Sequence, residues 1–143
     1  MLIGGSGLFF LFLCACAVLW STALACVDVT QRRLPDALTL PAGALALAWC
    51  VVRPVGLWGL VWPVLYLLPA RGIGGGDVKL AVSLGVAVAC TAGPVWVLVA
   101  VAAASALTLA AAALTRSAAV AHGPAMLAAA WVCALMGGVA SNM

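Results

Sequence analysis

Six long apolar segments make up almost the whole chain, and they restrict its fold more than any other feature. Short breaks with proline, glycine or arginine separate them, and they run over residues 2–27, 37–52, 55–68, 78–91, 93–115 and 118–139. With 68% hydrophobic and 6% charged residues, the chain cannot cover a water-facing surface. We therefore expect an all-α, polytopic transmembrane bundle of about six helices, forming one domain over residues 1–143.

The basic residues predict how this bundle is oriented. Five of the six fall on alternate connections, and only Arg53 lies on the others; the five are Arg32, Arg33, Arg71, Lys79 and Arg116. Because cytoplasmic connections carry the excess of lysine and arginine, these mark the cytoplasmic face of a multi-pass plasma-membrane protein. The net charge of +3 is spread over short connections, so the partner is the lipid bilayer and not nucleic acid.

The six cysteines do not predict a metal site. Each lies in or at the end of an apolar segment, and none forms a Cys-x-x-Cys pair. Free cysteine packs as a small apolar side chain, and we expect that role here.

Only three side chains carry a carboxylate: Asp28, Asp36 and Asp77. All three fall at breaks that the topology puts on the cytoplasmic face, so Asp28 and Asp77 can meet at one depth. Two carboxylates held close together share a proton, which lets one act as a base on water and the other as an acid on a carbonyl oxygen. This is the chemistry of an aspartic endopeptidase, which needs water and no cofactor.

Three glycines, Gly74, Gly75 and Gly76, stand directly before Asp77. Without Cβ atoms the backbone can turn tightly and approach another chain closely, so this run suits an incoming extended peptide.

Two stretches, 28–41 (DVTQRRLPDALTLP) and 74–80 (GGGDVKL), resemble in order the type IV prepilin peptidase family of Gly-x-Gly-Asp membrane proteases. The resemblance implies that Asp28 and Asp77 are the catalytic pair. It also implies cleavage of the leader peptide of a pilin-like membrane precursor, with Gly74–76, Asp36 and Lys79 binding substrate or supporting the site. Gly123-Pro124 is similar to a further element of the family, whereas Ala121-His122 departs from the proline and aromatic residue found more often there.

The length of the chain adds a second implication of the resemblance. Larger members carry a cysteine-rich domain, and this sequence has neither the length nor the paired cysteines for one. It is therefore similar to the short, peptidase-only form found with Flp (Tad) pili. A homodimer is left open.

Each of these residues also has a simpler interpretation. Asp77 can be the N-cap of a helix, Asp28 can form an ion pair with Arg32, and Asp36 after Pro35 is typical of a helix start.

Lys79 and His122 also allow more than one interpretation. Lys79 can orient a carboxylate, bind lipid phosphate or mark the cytoplasmic side, and the last two are favoured. His122 is expected to be solvated or interfacial rather than a third catalytic group.

Two other functions use the same features. A proton or cation carrier also needs membrane carboxylates near glycines, and a non-catalytic pilus assembly factor can share the fold.

Overall fold

The computed structural model describes residues 5–68, 74–117 and 120–140, and its regular structure is helical. The elements are α1 (Gly5–Gln31), α2 (Asp36–Val52), a 3-10 helix (Pro54–Leu60) that runs directly into α3 (Val61–Leu67), α4 (Gly75–Thr91), α5 (Pro94–Thr115) and α6 (Gly123–Ala140). The predicted all-α bundle of about six helices is confirmed. Arg71 and the adjoining part of the glycine run lie outside the described residues.

Among the residues that the structure describes, three helices are long and apolar enough to cross a membrane, over Gly7–Gln31, Pro94–Thr115 and Gly123–Ala140. Helix α1 exposes large apolar side chains such as Leu8, Phe9 and Leu19. An apolar helix that exposes such side chains suits a lipid environment.

Some predicted segments differ from the helices that the structure shows. Helix α1 continues past residue 27 to Gln31, since Val29, Thr30 and Gln31 keep the helical path until Arg32 takes a left-handed conformation with φ 50°. The third segment changes from a 3-10 helix to an α-helix at Val61.

The last helix begins at Gly123, not at residue 118, and residues 118 and 119 lie outside the described part of the chain. Pro124 is the second residue of α6, where its missing N–H costs no helical hydrogen bond, so the Gly-Pro pair starts the helix.

Helix α4 is the centre of the bundle and contacts α2, α3, α5, α6 and the 3-10 helix. The core around it contains fully buried side chains from every side of the bundle: Leu24, Trp62, Leu80, Val97 and Met126. At one crossing the backbones of Gly59 and Gly85 touch, and a methyl group on either would overlap the other's backbone. This close crossing seats the 3-10 helix on α4.

We expect Gly85→Ala to prevent correct packing, because the atom it would hit is backbone and cannot rotate away. Gly43→Ala is the matched control. Its methyl group would meet Val82 at 3.9 Å, an ordinary contact, so it should leave stability unchanged or raise it by about 0.5–1 kcal/mol. Thermal unfolding in lipid nanodiscs measures the stability of both variants. Equal stability of the two would contradict the close contact between the Gly59 and Gly85 backbones.

Candidate active site

All three carboxylates line one open cavity of about 360 Å³, where α1 ends and α2 and α4 begin. Its walls are formed by Asp28, Arg32, Arg33, Leu34, Asp36, Gly74, Gly75, Gly76, Asp77 and Lys79. The structure thus brings together every site residue that the sequence predicted. Within the described ranges, no three His, Cys, Asp or Glu side chains are grouped so that they could hold a metal ion.

Asp28 lies in the last turn of α1 and is only 6% exposed. Its Oδ2 accepts a hydrogen bond of 2.9 Å from the backbone N–H of Gly123, the first residue of α6. A helix leaves its first N–H groups without intrahelical partners, and its N-terminus carries a partial positive charge. The start of α6 therefore offers a buried carboxylate a donor and a favourable field.

Residue 123 must be glycine for this contact. A Cβ atom there would lie 2.6 Å from Oδ2 of Asp28 and 3.2 Å from its Cγ, which is closer than side chains tolerate. The alternative of an Asp28–Arg32 ion pair is wrong, because the described residues contain no such contact. The Asp28 carboxylate accepts from Gly123 instead, and Arg32 is exposed beyond the helix end.

Asp77 is the third residue of α4, ahead of the apolar part of that helix. The N-cap is Gly74, so the interpretation of Asp77 as the N-cap is wrong. Burial and the neighbouring charge of Asp28 raise the pKa of Asp77 to about 6, against an opposing hydrogen bond with the Gly74 backbone. Asp77 thus holds a proton at a higher pH than an ordinary aspartate does.

The three glycines before Asp77 have different environments. A Cβ on Gly76 would lie 2.9 Å from Cβ of Leu34, so this glycine lets the α1–α2 connection pack against the start of α4. Gly74 lies beside the Asp77 carboxyl, and a methyl group on Gly75 would meet nothing within 4 Å. Gly76 therefore serves the chain's own packing, and Gly75 has open space beside it.

Asp36 begins α2, as predicted, and forms an ion pair with Lys79, whose Nζ lies 2.6 Å from Oδ1. No sequence pattern predicted this pair, which links the start of α2 to the first turns of α4. Both side chains are partly exposed, at 60% and 40%, so the pair defines the cavity rim and adds little stability.

His122, which was expected to be solvated or interfacial, has specific partners within the bundle. It is half-buried, and its ring bonds Tyr66 on α3 and Thr108 on α5. Burial lowers the pKa of this imidazole, while the charge of Asp28 acts in the opposite direction. Its position directly before Gly-Pro was the available signal, because it puts residue 122 at a helix start.

Fold and cavity define a helical membrane protein with a carboxylate site at one end of its bundle. A model of the type IV leader peptidase family matches residues 8–109. The match covers more than half of the chain, which therefore belongs to that family, as the sequence resemblance indicated. Searches of curated proteins and of solved structures find no match. The matched stretch contains all three aspartates and ends before His122 and Gly123.

We expect Gly123→Ala to displace the Asp28 carboxylate and to lower the free energy of unfolding by about 1–3 kcal/mol, since a buried acceptor loses its donor. Gly138→Ala on the same helix is the control, because its methyl group would meet nothing within 4 Å. Chemical unfolding of both variants in one detergent measures the difference. Equal destabilisation by the two would show that the Asp28–Gly123 contact contributes nothing.

Proposed function

We propose that this chain is an aspartic endopeptidase that removes the leader from pilin-like precursors of the Flp (Tad) type at the cytoplasmic membrane face. Its membership of the type IV leader peptidase family supports the general activity. The observation that carries the mechanism is that Asp28 and Asp77 share one cavity and that the charge of Asp28 acts on Asp77.

The two carboxyl groups have different surroundings, which supports different roles for them in this proposal. Asp28 receives a backbone N–H, a donor that strengthens when its acceptor is charged, so Asp28 is the base. Asp77 has its pKa raised to about 6 and is the acid. Like charges in a partly buried site favour one shared proton over two ionised groups.

In the first step, Asp28 takes a proton from water while the water oxygen bonds to the scissile carbonyl carbon. Asp77 gives its proton to the carbonyl oxygen, which yields a neutral gem-diol. In the second step, Asp28 passes its proton to the leaving nitrogen, the C–N bond breaks, and one diol hydroxyl returns a proton to Asp77. Both carboxyl groups thus end as they began.

The substrate approaches through the open mouth of the same cavity. Gly75 leaves room for an extended backbone, and a peptide bond in this form is more open to attack than one bonded within a helix. The Asp36–Lys79 pair stands at the rim, and Arg32 and Arg33 carry the positive charge expected on a cytoplasmic face.

We expect Asp28→Asn and Asp77→Asn each to reduce leader cleavage by about 100-fold to 10,000-fold, because each removes one partner of the proton transfer. A pilin-like precursor with a basic leader, incubated with the purified enzyme in proteoliposomes, is followed by mass spectrometry. Thr22→Val, on the exposed face of α1, is the control and should cleave as wild type does.

Full cleavage by either Asn variant would make that aspartate structural and leave Asp36 as the remaining acid. Proton uptake by wild-type proteoliposomes without any cleavage would favour a carrier, and neither activity would favour an assembly factor.

Activity should also fall as the pH rises. The acid form of Asp77 is present below its pKa of about 6 and is lost above it, so kcat/KM should decline about tenfold per pH unit on the alkaline side. The measurement is the pH profile of cleavage by wild type, with tryptophan fluorescence confirming folded protein at each pH. A rate that rises between pH 6 and pH 8 would contradict Asp77 as the acid.

A further inference from the structure

The sole histidine of the chain joins three helices beside the candidate active site. Its Nε2 lies 2.7 Å from the hydroxyl of Tyr66 on α3, and its Nδ1 lies 2.6 Å from Oγ1 of Thr108 on α5. His122 itself directly precedes α6. Both ring nitrogens therefore have partners, and the ring has one orientation that satisfies them.

One consistent set of hydrogen bonds makes the imidazole neutral. Thr108 Oγ1 also lies 2.9 Å from the carbonyl oxygen of Ala104, and a hydroxyl has one proton to donate. If the hydroxyl donates to Ala104, its oxygen accepts the Nδ1–H of His122. The unprotonated Nε2 then accepts the hydroxyl proton of Tyr66, so the imidazole is neutral and every donor is used.

The backbone of His122 connects this ring to Asp28. Its carbonyl oxygen accepts the N–H of Met126 at 3.1 Å, which makes His122 the cap of α6. The same peptide plane contains the N–H of Gly123, which donates to Asp28 at 2.9 Å. Because a peptide group is planar, fixing the His122 side chain and carbonyl also fixes the direction of that N–H.

The next residue cannot replace this donor. Gly123 is the first backbone donor of α6, and the following residue, Pro124, has no N–H to offer. A small rotation of the 122–123 peptide would move the donor away from the carboxylate, which is 6% exposed and has little water to turn to.

We propose that His122 is a positioning residue: its imidazole, held between Tyr66 and Thr108, aims the Gly123 N–H at Asp28 and so holds the base for peptide cleavage. This inference rests on the proposed endopeptidase function for its catalytic consequence. His122 touches neither substrate nor the reacting atoms. Its position lies outside residues 8–109, the stretch matched by the family model.

The first test is kinetic and uses Tyr66→Phe and Thr108→Val, which each delete one hydroxyl and keep the side-chain shape. We expect kcat to fall about 10- to 100-fold while KM stays within about threefold, because the base is misplaced and substrate binding is not. Thr108→Ser keeps the hydroxyl and should restore kcat. Thr91→Val is the matched control, since Thr91 makes the same bond to its own helix, to Ala87, without a histidine.

The second test measures the hydrogen bond from the Gly123 N–H to Asp28 and does not depend on activity. His122-Gly123 is the one His-Gly pair of the sequence, so protein labelled with ¹³C-carbonyl histidine and ¹⁵N-glycine gives one carbonyl-coupled amide signal. In wild type and in Thr91→Val, this amide proton should be shifted downfield and exchange slowly. In Tyr66→Phe and Thr108→Val it should move upfield and exchange at least about tenfold faster, as a weakened hydrogen bond does.

The outcomes separate the two proposals. An unchanged Gly123 amide in Tyr66→Phe and Thr108→Val overturns the positioning role, whatever the activity. Unchanged kcat in both variants also overturns it, provided that wild type cleaves. If wild type cleaves no pilin-like precursor, the endopeptidase proposal fails, and the amide signal still decides whether His122 aims the donor.

Discussion

The hydrogen bond between the Asp28 carboxylate and the start of α6 is the contact on which the site depends. It joins the end of α1 to a helix nearly a hundred residues later, and it puts a charge in a place that is 6% exposed. An unpaired charge there would cost several kcal/mol. The helix N-terminus offsets that cost, and glycine at position 123 is the one residue small enough to allow the approach.

The pKa of the second carboxyl, Asp77, depends in part on the charge of the first, Asp28. Asp77 lies in the first turn of α4, where the N-terminus of that helix favours its charged form, yet burial and the Asp28 charge outweigh this and raise its pKa to about 6. The two aspartates are alike in covalent structure and differ in their donors and neighbours. In the proposed mechanism, that difference lets one kind of side chain supply both the acid and the base.

The all-α bundle and the grouping of the aspartates at one end of it could be predicted, because apolar length and rare charges are visible in the sequence itself. The packing roles of the glycines and the hydrogen-bond partners of the polar side chains could not be predicted in this way. Gly76 packs on Leu34, and Lys79 pairs with Asp36. Each contact joins residues about 40 positions apart in the chain, so neither leaves a pattern in the sequence. The partners of His122 were not predicted for the same reason, since they lie on two other helices.

The most direct test that Asp28 and Asp77 interact is carboxyl NMR of protein labelled with ¹³C at the aspartate side chains. The sequence has three aspartates and no glutamate, so the spectrum contains only three side-chain carboxyl signals. Asp77 should titrate with a pKa of about 6. In Asp28→Asn the pKa of Asp77 should fall but stay above its ordinary 3.8, because burial is the larger cause. A pKa of Asp77 near 3.8 in wild type, or one that Asp28→Asn leaves unchanged, would contradict a shared site.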